Sequence, residues 1–346
     1  MTPEPVTPGP VTDGPFARDF TALMAGDEAS FDALAEAAFR FQAAHNPVYA
    51  AFADGHAWRS WRHAPYLPAE AFRLAPVAAF DPSEAERVFE SSGTGGAMGN
   101  AGAPARHYVR SLAVYDRSAK AGFRRAFGEG PFTLVAHLPA YAERGERSSL
   151  VHMAERLIEA FGDEASGFFL DDTTLFVRAI AHANTGETRL IVLGAAFGLL
   201  DLLDARSWPL PKNAVVVETG GMKTHRRELA RADLHARLAE GFGVPSGHVG
   251  SEYGMCELLS QAWAVGGAVF APPPWLRARV VDPADPACEV PDGEPGQLAL
   301  CDLANGWSCS FVLTEDRAVM RGAGFEVLGR LDRALLRGCN FLVERA

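Results

Sequence analysis

A glycine-rich stretch with hydroxyl side chains, ESSGTGGAMGNAGAPARHY, occupies residues 90–108. A turn of this kind can wrap backbone N–H groups around an anion, and Ser91, Ser92 and Thr94 would add hydroxyl donors. The GxxxxGK[ST] spacing of a Walker loop is missing. The stretch is therefore either an anion-binding loop of another kind or a flexible surface loop.

Two later segments carry side chains that could complete a nucleotide site. In SEYGMCELLSQ (251–261), Tyr253 could stack on a base and Glu257 could hold a hard cation. The alternative for this segment is a helix start with a buried tyrosine and an exposed glutamate. In residues 314–332, Asp316 and Arg330 are expected on strands that end in turns, where the aspartate either binds ribose hydroxyls or serves the turn itself.

The elements around these loops alternate between strand and helix. RVFE, FTLVAHLPAY, RLIVLG and NAVVVE have strand character, whereas SLAVYDRSAKAGFRRAFG, SSLVHMAERLIEAFG, GLLDLLD and RADLHARLAEGFG have helical spacing, as does much of residues 16–60. This order predicts an α/β fold with parallel strands covered by helices. Ligands of such sheets bind beyond the carboxyl ends of the strands, where SSGTGG and ETGGMK fall.

The pattern of elements divides the chain into three parts. Residues 1–15 are a proline-rich lead-in that we expect to be flexible, and residues 16–270 form the α/β core with its loops. Residues 271–346 carry shorter strand segments separated by Pro, Asp and Gly, which predicts an antiparallel, barrel-like subdomain.

Composition excludes several classes of protein. The 346 residues carry a formal net charge of −11, which argues against a nucleic-acid binder, and the apolar runs are interrupted before they reach membrane-spanning length. The five cysteines form no CxxC pair, so we expect no zinc site and a reduced, cytoplasmic protein.

Taken in order, these segments resemble the adenylate-forming superfamily of acyl-CoA synthetases, luciferases and adenylation domains. Within it, the sequence is similar to the LuxE-type acyl-protein synthetases over roughly residues 35–344. The segments that carry the similarity are SSGTGG…ARHYV, ETGGMKTHRRELARADLH, SEYGMCELLSQAW, PPWLRARVVDP and GFEVLGRLDRALLRGCNF.

The resemblance implies the architecture of the adenylate-forming large domain without the usual C-terminal small domain, since the chain ends soon after GRLD. It also implies an activity: ATP and Mg²⁺ activate a fatty or aryl carboxylic acid to an acyl-adenylate. The acyl group then passes to a thiol, either that of Cys339 or that of a reductase or carrier protein. Cys339 could instead be a small core residue.

The resemblance assigns the remaining roles residue by residue. Thr94, Glu257 and Cys339 are the expected catalytic residues. Ser91, Ser92, Gly93, Thr94, Gly95 and Gly96 are expected around the β- and γ-phosphates, Gly220, Gly221, Tyr253 and Gly254 around the adenine, Cys256 near the α-phosphate, Glu257 on Mg²⁺, and Asp316 and Arg330 on the ribose. Arg106 and His107 match the Arg-His pair that ends the phosphate loop in the LuxE branch. His137 is expected either to line the acyl pocket or to be a core histidine.

Two positions depart from the family pattern: Gly95 and Cys256 each replace a threonine. A hydrogen bond to a charged group contributes roughly 1.5–3 kcal/mol, so losing both could slow adenylation roughly 10²- to 10⁴-fold. Two alternative functions therefore stay open. One is an acyltransferase that takes acyl groups from a thioester or adenylate without ATP, with Cys339 or Cys256 as nucleophile; the other is a catalytically degenerate scaffold. An enzyme like phenylacetate-CoA ligase is a further alternative that the missing small domain disfavours.

Overall fold

A computed structural model of the chain describes residues 23–24, 30–91, 103–138, 147–170, 173–220 and 229–331. In chain order, the helices are α1 Ser30–His45, α2 Pro47–Phe52, α3 Ala71–Leu74, α4 Leu112–Phe127, α5 Ser149–Phe161, α6 Thr174–Ala183, α7 Ala196–Ala205 and α8 Arg231–Phe242. The strands are β1 Leu67–Pro68, β2 Arg87–Glu90, β3 Arg106–Val109, β4 Phe132–His137, β5 Gly167–Phe169, β6 Arg189–Ala195, β7 Val215–Thr219, β8 Val249–Tyr253, β9 Ala262–Val265, β10 Leu276–Asp282, β11 Asp285–Glu289, β12 Pro295–Asp302, β13 Phe311–Arg321 and β14 Gly324–Arg330.

A six-stranded sheet forms the first layer of the fold, in the order β5-β4-β6-β7-β8-β9. All neighbouring pairs are parallel except β8 and β9. Its central strands are buried on both faces, as expected for parallel strands that read as continuous apolar runs such as VVV in β7. The predicted α/β alternation is confirmed.

The two faces of this sheet pack against different helices. Val217 belongs to the core cluster that contains residues of α4 and α5, whereas its neighbour Val216 belongs to the cluster formed with α6, α7 and α8. Because successive side chains of a strand point to opposite faces, Thr219 shares the face of Val217 and Glu218 shares that of Val216. In the register with β8, Glu218 lies opposite Ser251 and Thr219 lies opposite Glu252.

The second sheet is largely antiparallel, in the order β1-β13-β12-β10-β11, with β14 also paired to β13. The predicted antiparallel strands after residue 270 are confirmed. Strand β1 joins β13 in parallel from more than 200 residues earlier in the chain, which the sequence did not predict. The N-terminal part of the chain is therefore built into the C-terminal sheet.

Side chains at the start of α2 contact residues near the start of β13. The Asn46 Oδ1 accepts hydrogen bonds from the N–H groups of Val48 and Tyr49, and its Nδ2 donates to the Ser308 carbonyl at 3.0 Å. Tyr49 stacks on Phe311 of β13 with 6.1 Å between ring centroids. Asn46 and Pro47 interrupt the helical pattern of residues 16–60, because proline favours the first position of a new helix.

Asn46→Ala removes the cap of α2 and leaves the Ser308 carbonyl without its partner. We expect the free energy of unfolding to fall by about 2–4 kcal/mol, the sum of a lost cap and stranded buried groups. Urea unfolding measures the change. The matched control is Asn213→Ala, at an exposed turn, which should change the free energy by less than about 0.5 kcal/mol. Equal effects of the two substitutions would contradict the role of Asn46.

Candidate active site

A cleft of about 590 Å³ lies where the carboxyl ends of β7 and β8 meet strands β13 and β14. Residues from the end of β2 and from α4, α5 and α8 complete its walls. This is the edge of a parallel sheet at which ligands bind. The position agrees with the expectation that the loops after the strands carry the site.

One carboxylate joins the two sheets at the cleft. Asp316 Oδ2 accepts a hydrogen bond from the Tyr253 hydroxyl at 2.8 Å, and Asp316 Oδ1 lies 3.0 Å from Arg330 Nε. Arg330 also donates to Glu315 at 3.0 Å. Burial lowers the pKa of Arg330, but Asp316 and Glu315 outweigh it and raise the pKa, so the guanidinium stays charged. The three residues expected around adenine and ribose are therefore brought together.

The Arg-His pair at the start of β3 separates into two environments. His107 is fully buried, and burial lowers its pKa to about 4. A neutral ring that faces the Cys256 carbonyl at 2.8 Å must carry its proton on Nδ1, so His107 fixes the turn after Tyr253. Arg106 is half exposed and pairs with Glu90 at 3.4 Å.

The thiol of Cys256 lies in the same corner of the cleft. Its Sγ is 3.9 Å from the Ala105 carbonyl, and the Ala105 N–H donates to Ser91 Oγ at 3.0 Å. Burial raises the pKa of Cys256 well above its ordinary value, with the nearby Glu257 adding to the effect. The side chain is a buried neutral thiol, which makes it a poor nucleophile.

Glu257 lines the cleft and is only 7% exposed. The alternative of a helix start with an exposed glutamate is wrong, because β8 ends at Tyr253 and a turn follows. Within the described ranges, no group of three or more His, Cys, Asp or Glu residues could hold a metal ion by itself. A single carboxylate is nonetheless suited to Mg²⁺ that is shared with nucleotide phosphates.

Two glutamates at the floor of the cleft were not assigned a role from the sequence. Glu218 Oε1 accepts a hydrogen bond from the Ser251 hydroxyl at 2.5 Å, with Arg231 Nε 3.8 Å away. Glu252 accepts a short hydrogen bond from the Thr219 hydroxyl. Burial raises the pKa of Glu252 to about 7, and the charge of Glu218 adds to this shift. Their only signal in the sequence is a charged residue at the end of an apolar strand.

The other predicted residues are placed as follows. Gly220, with φ +83°, and Gly254 line the cleft. His137 is buried against Phe169, with 5.0 Å between ring centroids, and is not among the residues that line the cleft, so the core alternative describes it. Ser92, Gly93, Thr94, Gly95, Gly96, Gly221 and Cys339 lie outside the described residues.

Solved structures that share this fold include adenylate-forming ligases. A 2-hydroxyisobutyryl-CoA ligase, in an open conformation with 2-HIB-AMP and CoA, matches with a TM-score of 0.61 and 14% identity over 93% of this chain and 77% of the ligase. ATP-bound MatB from Rhodopseudomonas palustris matches with a TM-score of 0.50 and 20% identity over 70% of this chain; the match spans 47% of MatB. The fold is therefore the mixed α/β architecture of the adenylate-forming enzymes.

The sequence comparison gives the family. Residues 176–346, the C-terminal half of the chain, match the family described as acyl-protein synthetase, LuxE. Over that part of the chain, the match confirms the similarity that the motifs predict. No curated protein matches it. Among the helices of the described ranges, none is long and apolar enough to cross a membrane.

The raised pKa of Glu252 predicts a pH-dependent stability. Its carboxyl has an ordinary pKa of 4.5 and a folded-state pKa of about 7. Between these values the unfolded chain ionises while the folded protein keeps the proton, so stability should fall as pH rises, by up to about 3 kcal/mol. Glu252→Gln should abolish this part of the pH dependence in urea unfolding followed from about pH 4.5 to about pH 7.5.

The matched control is Glu240→Gln, on the exposed side of α8. It should follow the wild type at every pH. A free-energy difference between wild type and Glu252→Gln that stays constant across the range would show that Glu252 is ionised in the folded protein.

Proposed function

We propose that the protein activates a carboxylic acid with ATP to an acyl-adenylate and transfers the acyl group to a thiol. The observation that carries the proposal is the meeting of Tyr253, Cys256, Glu257, Asp316 and Arg330 in one cleft. They come from the end of β8, the turn that follows it, and strands β13 and β14 of the other sheet, and lie up to 77 positions apart in the sequence. The match of residues 176–346 to the acyl-protein synthetase family and the adenylate-forming fold support it.

The chemistry explains why the cleft needs these groups. An oxygen of the acid's carboxylate attacks the α-phosphorus of ATP, the bond to the β-phosphate oxygen breaks, and pyrophosphate leaves. Positioning and charge stabilisation then account for most of the catalysis. In this proposal Asp316 accepts hydrogen bonds from the ribose hydroxyls, Arg330 offsets negative charge, Tyr253 contacts the base and Glu257 holds Mg²⁺.

The second half-reaction needs a thiolate. In this proposal the Cys339 thiolate attacks the acyl carbonyl, AMP leaves, and a thioester remains that a partner reductase or carrier protein could accept. Arg337, close by in the sequence, would favour the thiolate if it faces the sulfur. We also propose that residues 91–96 bind the phosphates. The four cysteines of the described residues are free, which supports a reducing, cytoplasmic location.

A second candidate function is an acyltransferase that works without ATP. The replacement of two threonines by Gly95 and Cys256 favours it. Its version with Cys256 as the nucleophile is disfavoured, because burial holds that thiol neutral. An ATP-independent acyltransferase with Cys339 as the nucleophile therefore stays the second candidate, and its independence of ATP distinguishes it from the first function.

The test combines AMP release with the intact mass of the protein after incubation with MgATP and fatty, aryl, hydroxy and amino acids. We expect AMP and a hydroxylamine-labile acyl adduct that requires ATP and is lost in Cys339→Ala. Cys288→Ala is the matched control, because Cys288 is exposed on β11 outside the cleft. Labelling by an acyl-thioester but not by acid and MgATP would favour the second candidate function.

Cys256→Thr restores the hydroxyl that the family uses near the α-phosphate. A hydroxyl is a stronger hydrogen-bond donor than a thiol, so we expect AMP formation to rise about 10-fold at saturating acid. Cys256→Ala is the control and should not raise the rate. Equal rates in the threonine and alanine variants would show that position 256 does not contact the reacting phosphate.

A further inference from the structure

Side chains of β7 and β8 alternate between the two faces of the sheet, which divides the floor of the cleft into two halves. Glu218 and Ser251 lie on the face packed by α8, where Ser251 contacts His235 at 3.0 Å. Thr219 and Glu252 lie on the opposite face, packed by α4 and α5. The second half is bounded by Tyr115 of α4, Met153 of α5 and Gln261, which immediately precedes β9.

Gln261 leaves one hydrogen-bond acceptor unused in this half. Its side chain is 5% exposed, and its Oε1 has no hydrogen-bond partner among the described residues. The direction of its amide follows from its neighbours: Nε2 donates to the Tyr115 hydroxyl at 3.4 Å, and that hydroxyl donates to the Ser149 carbonyl at 3.0 Å. Turning the amide over would place two acceptors against each other, so the open atom is the oxygen.

A second polar atom, on Glu252, lies near the Gln261 side chain. Thr219 donates to Glu252 Oε2, which leaves Oε1 on the side of Gly254. A Cβ built on Gly254 would collide with Glu252 Oε1 and would lie 3.5 Å from Gln261 Cγ. The two side chains therefore converge beside a residue that has no side chain of its own, and all of them line the cleft.

We propose that Glu252 and Gln261 form a subsite that binds an N–H or O–H donor on the acyl part of the substrate. The acid activated here is then a hydroxy or amino carboxylic acid rather than a plain alkyl or aryl acid. This inference rests on the proposed function, because it names the substrate class of the same cleft.

The energetics of desolvation favour this substrate class. Gln261 Oε1 is already shielded from solvent and has no partner among the described residues, and buried polar groups without partners are unfavourable. A donor-bearing acid would supply the missing hydrogen bond, whereas an acid without a donor would not. A site built to bond a hydroxyl or amine rejects the analogue that lacks it more strongly than an apolar pocket rejects an extra group. The Glu252 carboxyl has a pKa of about 7 and so can ionise near neutral pH. When it is ionised, its Oε1 accepts from a hydroxyl or pairs with an ammonium group.

The test uses acids of matched shape on the whole protein. The sets are benzoate, 4-hydroxybenzoate and 4-aminobenzoate, and butanoate, 3-hydroxybutanoate and 4-aminobutanoate. Affinity is measured by calorimetry in the presence of AMP, and turnover by AMP release from MgATP. In at least one set, we expect a donor-bearing acid to bind about 10- to 100-fold more tightly than the plain acid. The hydroxy and amino arms identify which donor the subsite takes.

Two substitutions at one position connect the preference to the subsite. Gln261→Met removes the acceptor at similar length and should reduce the preference for the donor-bearing acid over the plain acid about 10-fold. Gln261→Glu keeps an acceptor oxygen and should retain the preference. Urea unfolding of each variant checks that the protein is folded.

The outcomes separate the two proposals. Equal affinity for plain and donor-bearing acids, tighter binding of plain acids throughout, or no binding of any acid overturns the subsite. AMP release with plain acids only would sustain the proposed function and overturn the subsite. Selective binding of donor-bearing acids without AMP release from MgATP would sustain the subsite and overturn ATP-dependent activation.

Discussion

The carboxylate of Asp316 holds the candidate site together, because it is shared between the two sheets. Strand β13 presents it, Arg330 on the paired strand β14 neutralises it, and Tyr253 at the end of the parallel sheet donates to it. A half-buried acid is stable only when it is paired in this way. The contact holds the end of β8 against β13 and thereby places the base-contacting and ribose-contacting side chains of the proposed site next to each other.

The alternation of side chains along β7 and β8 determines what faces each half of the cleft. Val216 and Val217 point to opposite faces of the sheet and pack into separate cores. By the same alternation, Glu218 and Glu252 lie in separate halves of the cleft. Carboxylates at the buried ends of parallel strands are unfavourable without partners, and here hydroxyls of Ser251 and Thr219 supply them. In the proposed subsite, the half that contains Glu252 receives the acyl group.

Much of the fold could be predicted from the sequence, because its signals are local. The periodicity of the segments that form α4, α5 and α8 and the apolar runs of β4, β6 and β7 reveal those elements directly. Strand β1 has two residues and pairs with β13, and no local pattern identifies such a strand. The pairing of β1 with β13 is visible only in the folded structure.

The candidate site also has features that the sequence predicts and features that only the structure shows. Tyr253, Asp316 and Arg330 stand in motifs, so the resemblance identifies them. The burial of His107 against the Cys256 carbonyl depends on a contact 149 positions apart, and the open oxygen of Gln261 depends on where Tyr115 points. Hydrogen-bond satisfaction is a property of the packed structure, which explains why the sequence predicted neither the His107 contact nor the open oxygen of Gln261.

ATP–pyrophosphate exchange tests the central claim most directly, because it reports formation of the adenylate without requiring the thiol. With MgATP and a suitable acid, label from pyrophosphate should enter ATP only when the acid is present. Asp316→Asn should lose most of this exchange, whereas Asp285→Asn, on the exposed strand β11, should retain it. Exchange that Asp316→Asn leaves intact, or no acid-dependent exchange in the folded wild-type protein, would contradict the account.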